Sequence, residues 1–148
     1  MTKLSKSVAV ALLLASPALA QQKPLTANQL PKSGVISYSG TFTSIDFTAP
    51  MAVTVDFGTG AVSADITVPQ LGSDNSISPP QEFKPTGMLD IDGDFVAVPT
   101  IFIGGGGIIQ GNFYGHGAGT VAGTIITQFC APDCGLIRTR GGSFTAQQ

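Results

Sequence analysis

Charge is scarce in this chain. Asp, Glu, Lys and Arg make up 11% of its 148 residues, there is no tryptophan, and His116 is the single histidine. With two cysteines, Cys130 and Cys134, beside that histidine, the chain falls short of the three or four ligands a zinc site requires. Metal is therefore not expected. Nucleophilic catalysis would need His116 beside a serine and an orienting carboxylate, and no Gly-x-Ser-x-Gly elbow is present, so an enzyme is not expected either. Apolar runs of about 20 residues are also missing, which excludes a membrane-spanning helix.

What is present is glycine, proline and alternation. Nineteen glycines and ten prolines in a chain that is 43% hydrophobic describe many turns between short strands. One segment departs from that pattern. Lys3 and Lys6 precede the apolar run Val8 to Ala15, Pro17 breaks it, and Ala18-Leu19-Ala20 supplies a small-x-small cleavage site. Residues 1–20 thus read as a cleaved secretory signal peptide, with Gln21 as the mature N-terminus. The residue directly after the cleavage site is Gln21 and not cysteine, so no lipid anchor is expected. Loss of Lys3 and Lys6 leaves five basic against nine acidic side chains, a net charge of −4 that is unsuited to neutralising phosphates and excludes nucleic acid. In the periplasm or outside the cell, Cys130 and Cys134 are expected to close a small disulfide contributing about 2 kcal/mol, with a redox pair as the alternative.

Residues 21–32 hold two prolines without periodicity and read as an extended lead-in. Alternation of period two then places eight strands near 34–42, 52–57, 61–68, 83–91, 94–103, 107–114, 120–129 and 136–146. Asp92-Gly93 is expected to form a type I′ hairpin turn inside what could otherwise be one long strand. Residues 69–81 read as a long polar loop and Gly104–Gly107 as a hairpin tip, both suited to carrying binding. Asp90-Ile-Asp-Gly-Asp94 lacks the spacing of an EF-hand, and the four glycines are not followed by the Gly-Lys-Ser/Thr of a phosphate loop.

The densest glycine stretch runs Gly111-Asn-Phe-Tyr-Gly-His-Gly-Ala-Gly-Thr-Val-Ala-Gly123. Gly111, Phe113, Tyr114, Gly115 and Gly123 in this order resemble the signature of the transferrin-binding protein B-like β-barrel family, bacterial envelope proteins that bind partners. His116 stands where the family usually has proline, and Thr120 where it usually has an acidic residue. Leu30-Pro-Lys-Ser-Gly-Val-Ile-Ser-Tyr-Ser-Gly-Thr41, Val55-Asp-Phe-Gly-Thr-Gly-Ala-Val-Ser63 and Gly141-Gly-Ser-Phe-Thr-Ala146 are similar to further strands of the family.

The resemblance implies one barrel domain over residues 33–148, all-β, a single eight-stranded antiparallel up-and-down barrel. It also implies a binding module in the periplasm, secreted or at the cell surface, for a protein partner or a small solute, in iron or haem acquisition. No cofactor is required; if haem is the ligand, Tyr114 and His116 are its candidate axial ligands. The alternatives are a structural or inhibitory envelope protein that presents loops to another protein, and a small outer-membrane β-barrel. The latter needs aromatic girdles and an apolar outer face. The expected outward residues Ser37, Ser39, Thr54, Asp56, Ser63, Asp65 and Thr67 are polar, so the barrel is expected to be soluble and not membrane-spanning.

Overall fold

The computed structural model describes residues 22–45, 47–71, 77–99, 105–130 and 137–148. The signal-peptide segment and Cys134, and with it the expected disulfide, lie outside them. The described residues form nine strands: β1 (Val35–Ser44), β2 (Thr48–Asp56), β3 (Ala61–Leu71), β4 (Ile77–Phe83), β5 (Pro85–Leu89), β6 (Phe95–Pro99), β7 (Gly105–Tyr114), β8 (Thr120–Cys130) and β9 (Ile137–Gln147). All pairings are antiparallel, and the ring closes where the last strand meets the first, with Phe144 opposite Phe42. β4 and β5 both pair with β3, in turn, and are separated by Lys84 alone. They occupy one position in the wall, so the nine strands make an eight-stranded barrel. Among the described residues no helix is long and apolar enough to cross a membrane.

Strand alternation sorts the side chains. Tyr38, Phe42, Val53, Val55, Phe113 and Val121 point inward and are fully buried, while Ser37, Ser39, Ser63 and Asp65 point out. An eight-stranded barrel is just wide enough for side chains to fill it, and here rings do so. Phe113 is the hub, its ring centroid 6.0 Å from Tyr38, 5.6 Å from Phe57 and 5.8 Å from Phe95. One rung of the ladder reads Phe95, Gly111, Gly123, Phe144 and Phe42 across β6, β7, β8, β9 and β1. Gly111 leaves the space into which the phenylalanine rings fold: a Cβ there would lie 2.6 Å from the Phe95 ring and 3.1 Å from that of Phe144.

Three sequence expectations change. The polar loop expected over 69–81 is mostly strand, because β3 runs to Leu71 and β4 starts at Ile77. Its prolines sit at a register shift between Val68↔Gln81 and Gln70↔Ser78, where Pro79 and Pro80 face Pro69. A bulge interrupts the ladder, so residues without an N–H cost little there. Gly105–Gly107, expected at a hairpin tip, are paired with Phe129–Thr127 inside β7. The hairpin between β5 and β6 does form, but not through a two-residue turn. Asp90 N–H donates to the Asp94 carbonyl at 2.7 Å and Gly93 N–H to the Asp90 carbonyl at 3.0 Å, a three-residue loop with Gly93 at φ 92°.

The lead-in lies against the barrel. Residues 22–34, the turns at 57–60, 90–94 and 115–119, and Gln148 gather at one end. Leu25 N–H donates to the Phe113 carbonyl at 2.8 Å, Ala27–Gln29 form a 3₁₀ turn, and Leu30 is buried in the core. A Cβ on Gly93 would stand 2.6 Å from the Ala27 nitrogen, so the lead-in seats directly on the β5–β6 turn. This end of the barrel is closed by the chain's own N-terminal segment.

Candidate functional site

The glycine-rich turn carrying Tyr114 and His116 belongs to the closed end. β7 stops at Tyr114, and Gly115, at φ 78°, turns the chain into a 3₁₀ turn over His116–Ala118. The alternation that would set Tyr114 and His116 on a common face therefore ends one residue before His116. His116 is exposed, and Tyr114 is half-buried on the outward face of β7. The turn is held from inside by a residue the motif did not flag. The Tyr38 hydroxyl donates to the Ala118 carbonyl at 2.8 Å, and Gln148 Nε2 reaches the Gly117 and Ala118 carbonyls at 3.2 and 3.3 Å. Ala118, at φ 57°, is fully buried in a backbone region that L-residues seldom occupy.

Burial raises the Tyr38 phenol above its ordinary 10.0, against a smaller lowering from the Gln148 side chain. Its contribution to stability is complete below pH 10 and is lost as pH climbs through the folded-state value, because the unfolded chain then binds fewer protons. Tyr38→Phe is expected to cost about 1 kcal/mol at pH 7, Ala118 retaining its Gln148 partner. Urea unfolding checks both points: the wild type should lose stability above pH 10 more steeply than the variant.

The remaining sequence candidates do not converge. Asp90 and Asp92 are exposed, and no group of three or more acidic, histidine or cysteine side chains suited to a metal exists among the described residues. Asp90 instead bonds the Ile91 N–H at 2.6 Å. Asp56 similarly accepts from the Gly58 and Thr59 N–H groups at 2.9 and 3.2 Å, organising the β2–β3 turn. A hydrogen bond from the Thr59 hydroxyl, with these two from the backbone, holds its carboxyl below the usual range.

The outer surface has two unlike walls. On β1 to β3 the expected polar residues do face out, and Lys84 bridges Glu82 at 3.1 Å and Asp65 at 3.7 Å. On β5 to β8 the outward face instead carries five exposed aliphatic side chains beside Thr86, Gln110 and Thr124. Met88, Val96, Val98, Ile108 and Ile126 are 57%, 46%, 49%, 45% and 50% exposed, where their inward neighbours Phe95, Ala97, Ile109 and Ile125 are 1% or less. The register makes them contiguous. Met88 is opposite Val96 and Ile108 opposite Ile126, while the Ala97↔Ile109 pair brings Val98 alongside Ile108. Five half-exposed side chains amount to roughly 400 Å² of apolar surface, a size at which a monomer's largest patch is often functional. No described outward position of β5 to β8 carries a charge. The sequence signal for this wall was Phe95-Val-Ala-Val98, apolar at every position where a half-solvated strand alternates.

No family model and no curated protein matches the chain. Solved structures do. A point mutant of the vaccine antigen Transferrin Binding Protein B from Haemophilus parasuis Hp5 superimposes with a TM-score of 0.51 at 16% identity, over 85% of this chain and 28% of that one. Intact Ap-TbpB, with its N and C lobes, gives 0.50 at 16% identity with the same coverage of 85% and 28%. The chain therefore spans little more than a quarter of the structures it matches, and what it shares with that part of Transferrin Binding Protein B is the fold.

Proposed function

We propose that this chain is an exported binding module, without catalytic activity, that takes a protein partner on the outer wall of β5 to β8. The carrying observation is the aliphatic patch on that wall: contiguous, half-exposed and free of charge, beside a second wall that is polar and charged. Interface cores are depleted of charged residues in the same way. The fold it shares with part of Transferrin Binding Protein B supports binding as the role. Two features favour a protein over a solute or a lipid bilayer. Rings occupy the interior at the closed end, with Tyr38, Phe95 and Phe113 buried to within 1%. A lipid-facing band, moreover, must run round the whole circumference, whereas β1 to β3 present serine, threonine and aspartate.

Site-specific photo-cross-linking in the producing cell tests this. A cross-linker at Val96 is expected to give discrete protein adducts, and one at Thr54 on the polar wall is expected to give none. Equal labelling from both positions, or none from Val96, would defeat the reading. Hemin titration separates the haem alternative: a saturable Soret shift abolished in His116→Ala would move the function to the turn at the closed end.

A further inference from the structure

Resting on that reading of the β5 to β8 wall, we infer that its occupant is a second copy of this chain, packed wall to wall across a two-fold axis. A two-fold interface is isologous, so a face can pair with itself only if it does not repel itself. This one meets the condition. In a chain with more acidic than basic residues, no described outward position of β5 to β8 is charged: Asp56 and Asp65 lie on β2 and β3, Glu82 and Lys84 pair with each other at the β4–β5 edge, and Arg138 and Arg140 belong to β9. The aliphatic side chains alternate with threonine and glutamine at Thr86, Gln110 and Thr124, a surface on which branched side chains of two sheets can interdigitate at about 10 Å separation.

The area also fits. A standard interface buries about 800 Å² on each partner, somewhat over half of it apolar, and the patch supplies roughly 400 Å² of that kind. The acidic turn sets the orientation. Asp90 and Asp92 are exposed at the closed end of the β5–β6 hairpin, so an axis parallel to the strands would bring the two turns together. An axis perpendicular to the strands sends them to opposite ends. The dimer is therefore antiparallel, with each closed end beside the opposite end of its partner.

Sedimentation equilibrium of the full chain, as purified after export, tests the inference. The expected result is a reversible monomer–dimer equilibrium little affected by salt. Val98→Lys and Ile108→Lys are expected each to weaken it about 30-fold or more, and Thr54→Lys on the polar wall to leave it unchanged. Both lysines point to solvent in the monomer, and unaltered urea midpoints of the separated monomers verify that they fold. A chain that stays monomeric at high concentration, or a dimer indifferent to both lysines, overturns the inference. The cross-linking outcome keeps the two readings apart. Adducts of Val96 with a different protein, from a monomeric chain, remove the dimer and retain the binding wall, whereas no adduct from Val96 removes both.

Discussion

Gly123→Ala is expected to destabilise the barrel by about 3 kcal/mol or more, for the addition of one methyl group. The residue lies between Gly111 and Phe144 in the ladder. Its Cβ would be driven into the Gln110 carbonyl oxygen and would stand 2.7 Å from the Gly111 Cα. Those atoms are backbone, so no rotamer change relieves the contact, and β7 and β8 would have to separate in the middle of their shared register. Gly119→Ala serves as the comparison, because its Cβ would come no nearer than 3.4 Å to the His116 carbonyl. Urea unfolding of the two variants should place Gly123→Ala far below the wild type and Gly119→Ala close to it. Similar midpoints for the two would show that β7 and β8 are not in van der Waals contact at this rung.

Phe113→Ala is expected to cost about 4 kcal/mol, the upper part of the range for truncating a buried ring. Phe113 is fully buried and its ring contacts those of Tyr38, Phe57 and Phe95, which come from three other parts of the ring of strands. Edge and tilted contacts of this kind add stabilisation beyond the buried area. Its backbone carbonyl also holds Leu25 of the N-terminal segment. Loss of the ring should therefore loosen the closed end as well as the core. Thermal unfolding should show a large drop in midpoint, and hydrogen exchange should show reduced protection of the Leu25 amide. A variant that unfolds close to the wild-type midpoint would mean that the interior rearranges to fill the space, contrary to a close-packed barrel.

The two predictions differ in how far they were legible before the fold. Glycine inside a strand pattern is a local signal: Gly111 and Gly123 interrupt alternating segments, and a missing side chain there means a bend or a close approach. What approaches them is not local. Phe95 and Phe144 reach Gly111 from strands 16 and 33 residues away in the chain, through a register that only closure of the sheet establishes. The same limit explains the prolines. Pro69, Pro79 and Pro80 were read as loop because each lacks an N–H, and one strand alone has no means of showing that a bulge makes that loss harmless.

Tyr114 and His116, the candidate haem ligands, would share a face only if β7 ran on to His116. Gly115 at φ 78° ends that alternation. The residue that in fact organises the turn, Tyr38, is 80 positions away from its partner Ala118 and lies in the family-like first strand, with no sequence feature linking the two.

By itself the sequence determined the all-β class, the strands β1, β3, β7, β8 and β9 to within about three residues at each end, the hairpin near Gly93, closure of the last strand on the first, and the resemblance to a barrel family. Each of these rests on period-two alternation and turn chemistry, which act between neighbours. Tertiary structure alone decided which rings meet in the interior, that the N-terminal segment closes one end, and that the outer surface divides into a polar wall and an apolar one. Those depend on which strands lie side by side, and the outward residues of β5, β6, β7 and β8 become a surface only once the ring has set Met88 beside Val96 and brought Val98, Ile108 and Ile126 into the next row.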